Sequence, residues 1–443
     1  MKRAFTLVAI LLAAAFAAPA QTGTWSGKLD VQGVQLTLVL HLDEAAPSLD
    51  SPDQGARGIP ARLERTATGI KFTVPSLGAV YEGTYLGKII AGTFTQAGQA
   101  FPLTLAPGEP QLRRPQTPSG PFPYAQEEVT FTNGDAVLKG TLVLPEGCSR
   151  RTPALVMVTG SGLQNRDEEL FEHKPFAVIA DALARAGVAT LRYDDRGFGE
   201  STGDTAGATT ADFKDDARAG VRLLRERFDR VGVLGHSEGG TIALMLAAEG
   251  EADFIVSLAG AVVSGAETLL WQNRLALAAA GVPAGTVDAY CRLLSEAFTA
   301  CVEGSPLPSA GGRPLPDALK QNYQAVVMQL QSPYLRYFLA LDARPLLPRI
   351  SCPVLALNGT KDSQVDAGPN LDALRNGLPA GTPRRIEALE GLNHLFQHCT
   401  TGASSEYKDI EETFAPEVLE LLVSWLLNRA ATRSVLSSNK AAL

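Results

Sequence analysis

Val231-Gly232-Val233-Leu234-Gly235-His236-Ser237-Glu238-Gly239-Gly240-Thr241-Ile242-Ala243-Leu244 is the stretch on which the fold turns. Val231 to Leu234 reads as a short strand buried on both faces, and a helical period runs from Gly239 to Ala248. Between them the G-x-S-x-G spacing leaves room only for a tight turn. A serine on such a turn needs small neighbours at Gly235 and Gly239, because its strained backbone comes close to adjacent strands. Its hydroxyl then faces solvent at the sheet edge, and the unpaired N–H groups of the helix start can receive an oxyanion. The bare motif arises often by chance. The strand before it and the helix after it are what give it weight.

Outward from this turn the same alternation continues. Strands Ala154 to Val158, Val188 to Leu191 and Phe254 to Leu258 are interleaved with helical periods Phe176 to Ala186 and Phe213 to Phe228. Upstream, Glu128 to Phe131 and Leu138 to Leu144 flank Asn133-Gly134, a hairpin signal. From about Ser264 to Arg344 only helical periods appear, after which Val354 to Leu357, Arg385 to Ala388 and a last helix, Pro416 to Asn428, resume the pattern. Short apolar strands separated by amphipathic helices predict an α/β fold: a doubly wound, mostly parallel sheet over residues 124–443. The all-helical insert at about 264–344 has the form of a lid over its carboxyl edge.

The chain before residue 124 is organised differently. Residues 21–107 carry short alternating segments such as Leu36 to Leu40, Ile70 to Val74 and Ala79 to Gly83, with Ile89 to Phe94 and Phe101 to Leu105 after them. They predict a small all-β domain of six to eight strands, a barrel or a sandwich. Six prolines between Pro107 and Pro123 mark residues 108–123 as a linker. Residues 1–20 read as an export signal: Lys2 and Arg3, twelve apolar residues from Leu7 to Ala18, and the small-residue site Ala18-Pro19-Ala20. Twelve apolar residues fall short of the roughly 20 that span a bilayer. The expected mature protein is therefore secreted or periplasmic, with no stable membrane span.

Composition narrows the function. Of 443 residues, 45% are hydrophobic and 19% charged, which excludes a disordered chain. The 39 basic and 47 acidic residues are scattered, so nucleic acid is not an expected partner. Five cysteines leave at least one unpaired in a monomer. On a continuous helix Cys291 and Cys301 would lie about 15 Å apart, beyond the roughly 7 Å limit of a disulfide, and both read as small buried residues.

A serine hydroxyl needs a base, and the base an orienting carboxylate. Only His394 and His398 follow Ser237. His394, in Gly391-Leu392-Asn393-His394 just past a strand, is the expected base, and His398 is the alternative. Asp362, directly after the strand Val354 to Leu357 in Asn358-Gly359-Thr360-Lys361-Asp362, is the expected orienter, with Asp366 its competitor. The oxyanion hole should take one N–H from Glu238 and one from Thr159-Gly160-Ser161-Gly162, where the Ser161 amide is favoured over Gly162 or Leu163. Asp194-Asp195-Arg196-Gly197-Phe198-Gly199-Glu200-Ser201 lacks the full G-x-G-x-x-G pattern, so it reads as a structural loop near the site.

These segments, together with Thr159 to Asp167 and Leu392-Asn393-His394, make the chain resemble the α/β-hydrolases over residues 124–430. Within them it is similar to bacterial carboxylesterases and to the serine aminopeptidase or monoglyceride lipase-like branch. The resemblance implies Ser237 as nucleophile, Asp362 as orienter and His394 as base in acyl transfer to water, with no metal or organic cofactor. The expected substrate is a small-molecule ester of short to medium acyl length. A serine aminopeptidase or other amide hydrolase is the alternative activity. Leu49 to Gly55 resembles part of a β-domain found ahead of such hydrolases in exported bacterial proteins. That domain is expected to bind an envelope component or to pack on the hydrolase domain, and an envelope-binding protein is the reading from another class.

Overall fold

The computed structural model describes residues 22–440 apart from 32–33, 55, 67 and 109–111. The export segment read over residues 1–20 lies outside the described residues. The chain divides into two compact units, Met1–Gln111 and Leu112–Leu443.

The first unit is an antiparallel sheet. Its strands are β1 (Thr24–Val31), β2 (Val34–His41), β3 (Ser48–Ser51), β4 (Ala56–Pro60), β5 (Arg62–Arg65), β6 (Gly69–Val74), β7 (Ala79–Leu86), β8 (Ile89–Gln96) and β9 (Gln99–Pro107). They pair in the order β4-β3-β2-β1-β9-β8-β7-β6-β5. The first strand closes on the last through Trp25↔Pro107 and Ser26↔Ala106. Nine strands are present where the sequence pattern gave six to eight. The additional ones include β4 and β5, whose sequences Ala-Arg-Gly-Ile-Pro and Arg-Leu-Glu-Arg carry too few apolar residues to register as alternation. One face gathers Trp25, Leu40, Phe72, Tyr81 and Ile90 into a single apolar core, as a sheet with one solvated face requires.

The second unit holds an eight-stranded sheet. A hairpin of β10 (Ala125–Asn133) and β11 (Ala136–Leu144) turns at Gly134, whose φ is +59°, with Asn133 facing Ala136. Then follow β12 (Ala154–Val158), β13 (Ala189–Tyr193), β14 (Val231–His236), β15 (Ile255–Leu258), β16 (Val354–Gly359) and β17 (Arg384–Leu389). The order is β10-β11-β13-β12-β14-β15-β16-β17, parallel from β13 onward. The strand interior alternates between two cores. Ala154, Val156 and Val158 of β12 join one, with helices α2 (Thr210–Arg225), α3 (Glu238–Ala248) and α8 (Ala367–Gly377). Leu155 and Met157 join the other, with α1 (Pro175–Arg185) and α9 (Pro416–Lys440). Covering both faces explains why these strands read as unbroken apolar runs.

Between β15 and β16 lie α4 (Gly265–Ala279), α5 (Ala284–Glu303), α6 (Asp317–Gln329) and α7 (Pro333–Ala340), the expected helical insert. Tyr290, Phe298 and Tyr323 fill a separate core inside it with Leu294 and Leu339. Cys291 and Cys301 are free and buried there.

The proline-rich stretch read as a linker is bound to the second unit from Leu112 on. Arg114 donates to the carbonyls of Phe171, Ile410 and Lys408. Gln116 pairs with the backbone of Thr413 and Phe414. Proline content signalled stiffness but not this anchoring, which depends on two polar side chains. Among the described residues no helix is long and apolar enough to cross a membrane.

Candidate active site

The strand-turn-helix reading places Ser237 between the end of β14 and the start of α3. Its backbone sits at φ +53°, ψ −119°, a region that costs a non-glycine residue about 1–3 kcal/mol and persists only where the surroundings enforce it. They do so by packing. A Cβ on Gly235 would lie 1.9 Å from the Gly239 carbonyl oxygen, and one on Gly239 would lie 2.0 Å from that of Val158. Neither position has room for a side chain. All eleven residues of α3 are buried, so the helix that carries the turn is clamped on every side.

At the end of β16, Asp362 is held by its own loop: its Oδ1 accepts the N–H groups of Gln364 at 2.7 Å and Val365 at 2.9 Å. Its Oδ2 lies 2.8 Å from Nδ1 of His394, which stands on the loop after β17. Both side chains are buried. The carboxylate thus accepts the hydrogen bond of Nδ1–H and leaves Nε2 as the free, basic nitrogen. The two competing residues lie elsewhere. Asp366 caps α8 by accepting from the Gly368 N–H, and His398 pairs with Glu412 and Glu417 at the surface.

Ser237 meets this couple through its neighbour. The His236 ring centroid is 4.6 Å from that of His394, and His236 Nε2 donates to the His394 carbonyl oxygen at 2.8 Å. Among the described residues no hydrogen bond joins Ser237 Oγ to His394 Nε2. Catalytic contacts are commonly long without substrate and tighten in the complex.

The loop after β12 comes up on the other side of Ser237. A Cβ on Gly160 would lie 3.1 Å from Cβ of Ser237. The Gly160 amide is taken by Glu168 Oε1 at 2.8 Å, which removes it from the loop amides open to an anion. A narrow recess of about 260 Å³, counted with its open mouth, adjoins these groups and is lined by Gly160, Gly162, Asp195, Phe213 and Glu238.

Several residues of the site were not apparent in the sequence. Glu238 accepts from the Thr210 hydroxyl at 2.5 Å through Oε1 and from the Tyr334 hydroxyl of α7 at 2.7 Å through Oε2. Burial raises the Glu238 carboxyl above its ordinary range. Tyr334 also interacts with the Ser161 side chain, so one lid residue touches both residues read as oxyanion donors. Asp195, in the loop read as structural, accepts from Thr159 and from the Gln164 N–H. Burial, with Glu168 and Glu238 nearby, pushes its carboxyl up to about 8. The rest of that loop is stapled by Arg196 to Asp216 and by Arg166 to Asp194, which agrees with its structural reading. Among the described residues no group of three or more His, Cys, Asp or Glu side chains is placed to hold a metal ion.

The Tyr334–Glu238 contact links lid to core. A double-mutant cycle with Tyr334→Phe and Glu238→Gln, read by urea denaturation, should give a coupling of about 1–2 kcal/mol, the range for a hydrogen bond to a buried acid. Strictly additive effects would mean that the lid is not latched at this point.

The geometry can be set beside known proteins. The profile of the alpha/beta hydrolase family matches residues 155–400. The chain belongs to the alpha/beta hydrolase family. The hydrolase is 36% identical over 141 residues to esterase EstD of Thermotoga maritima, an alignment covering 31% of this chain and 33% of that enzyme. The aligned stretch therefore spans about a third of the relative's length. Similar solved structures include Est1E from Butyrivibrio proteoclasticus with ferulic acid bound, at 16% identity over 68% of the hydrolase and all of Est1E, with a TM-score of 0.43. Proline iminopeptidase of Mycobacterium smegmatis is similar at 17% identity, over 69% of the hydrolase and all of the peptidase, also with a TM-score of 0.43.

Proposed function

We propose that this hydrolase is an exported serine esterase acting on carboxylic esters with short acyl groups. The observation that carries the reading is the 2.8 Å contact of Asp362 with His394 Nδ1 at adjacent strand ends, beside a serine held in a strained turn. Ser237 Oγ attacks the ester carbonyl while His394 Nε2 takes its proton, and the Asp362 carboxylate stabilises the imidazolium that forms. The amides of Glu238 and Ser161 bind the oxyanion. Collapse expels the alcohol, which leaves with the proton from His394, and the acyl group stays on Ser237. Water then attacks the acyl-enzyme by the same route, the acid departs, and the serine hydroxyl is restored. Export rests on the signal read at residues 1–20.

The narrowness of the recess beside the oxyanion donors favours a short acyl group over a long one. The test is hydrolysis of p-nitrophenyl esters from acetate to palmitate, together with aminoacyl p-nitroanilides. Highest kcat/KM is expected between acetate and butyrate, falling at least tenfold by octanoate. An optimum at long chains would overturn the acyl assignment. Faster cleavage of the anilides than of any ester would replace the esterase reading with that of an aminopeptidase.

A further inference from the structure

His236 is buried and has an acceptor at each ring nitrogen. Nε2 lies 2.8 Å from the carbonyl oxygen of His394, which can only accept, so Nε2 carries a hydrogen. Nδ1 lies 2.9 Å from Glu168 Oε1. That same oxygen accepts the Gly160 N–H, and as an acceptor it leaves the second hydrogen on Nδ1. A neutral imidazole donates from one nitrogen only, and both contacts are met by an imidazolium. Despite burial, which opposes the charge, the ring is held above the ordinary histidine range, chiefly by Glu168. Glu168 itself is buried and sits at φ +52°, an unusual conformation that the loop keeps in order to reach inward.

We propose that His236 and Glu168 form a fixed buried ion pair that positions the catalytic groups: Glu168 anchors the oxyanion loop and His236 anchors the base loop. The inference rests on the serine esterase reading above. The pair spans three loops, through the Gly160 amide, the nucleophile turn and the His394 carbonyl. Each of these loops leaves a different strand end, so without a crosslink their separation would depend on loop stiffness alone. The charged groups facing His236 are Glu168 and, through His394, Asp362. The other neighbours, Phe176 and Ile179 from α1, Leu258 at the end of β15, and Leu395 and Phe414, are apolar. On its other side Glu168 faces the buried carboxyl of Asp195.

The sign of the effect follows from this inventory. In His236→Gln an amide can still donate to the His394 carbonyl, but the positive charge is gone and Glu168 is left uncompensated. The bridge to the base loop survives while the pair that holds the oxyanion loop is broken, and kcat falls.

The experiment uses the full mature chain with p-nitrophenyl acetate. First, labelling by a fluorophosphonate, present in the parent and absent in Ser237→Ala, establishes the underlying reading. If the parent is not labelled and does not turn over, the esterase reading itself has failed, whatever His236 does. With that established, His236→Gln is expected to lower kcat about tenfold or more, with KM within about twofold. Glu168→Gln should lower kcat similarly, and the double variant should be little worse than the poorer single one, as for groups acting as a unit. A double variant whose loss is the product of the two single losses would overturn the pairing. Unchanged kinetics in both single variants would overturn the whole. Should the variants fold poorly, ¹⁵N NMR of the histidine-labelled parent gives an independent reading: both ring nitrogens of His236 protonated at a pH above the ordinary value near 6.5. A neutral His236 there would overturn the proposal.

Discussion

Replacement of Ser237 by alanine is expected to abolish ester turnover, lowering kcat by about 10⁶-fold while leaving the folded protein intact. The magnitude follows from the division of labour in the site. In the proposed mechanism His394 and Asp362 prepare a base that takes the serine proton and passes it to the leaving alcohol, so removing the hydroxyl makes them idle and leaves the amides of Glu238 and Ser161 with no tetrahedral centre to hold. Alanine keeps the Cβ that packs toward Gly160, and circular dichroism and thermal unfolding should match those of the parent. Glycine at the same position separates strain from chemistry. It removes the penalty of φ +53° and should raise stability by about 1 kcal/mol while being equally inactive. Such a gain would mark the turn as strained for function. Ester turnover persisting in the alanine variant at more than about a thousandth of the parent rate would mean that another group is the nucleophile.

The part of the proposed site legible in the sequence is the part that chain order and strand ends determine. Ser237 could be found because a buried strand and an apolar helix bracket it with glycines. Asp362 and His394 could be found because each follows a strand within a few residues and only two histidines lie downstream. Their competitors fell away only with side-chain partners in hand. Asp366 and Asp362 differ by four residues in sequence, but one caps a helix and the other points at an imidazole.

What stayed hidden is contact between distant segments. Glu168 lies 68 residues before His236, in a loop with no period to read, and its inward course depends on a positive φ that sequence does not announce for glutamate. Tyr334 is 96 residues from Glu238, on a lid helix whose aromatic residues look alike in sequence. Three others, Tyr290, Phe298 and Tyr323, pack the lid itself. In the first unit the missed strands are short and polar, so hydrophobic alternation, the signal used to find strands, is nearly absent from them. Their place is set by the ladder with neighbouring strands, a tertiary constraint that overrides local pattern.

Asp362→Asn should be the most damaging change that leaves every catalytic atom count nearly unaltered, with kcat reduced about 10⁴-fold. The reason lies in the other half of the carboxylate. Oδ1 accepts two backbone N–H groups, from Gln364 and Val365, and only an oxygen can stay there. The asparagine amide must therefore turn its NH₂ toward His394, where it donates to Nδ1 instead of accepting from it. The imidazole then carries its hydrogen on Nε2, the nitrogen that should take the serine proton, and the base is disabled by its tautomer with its position unchanged. Turning the amide the other way would aim two NH₂ hydrogens at two N–H donors, a worse arrangement in a buried loop. Because both backbone bonds survive, thermal stability should fall by no more than about 1–2 kcal/mol, the scale of one altered hydrogen bond. Fluorophosphonate labelling of Ser237 should slow in step with kcat. An asparagine variant within tenfold of the parent would show that His394 is oriented by something other than this carboxylate, and would return Asp362 to the role of a loop brace.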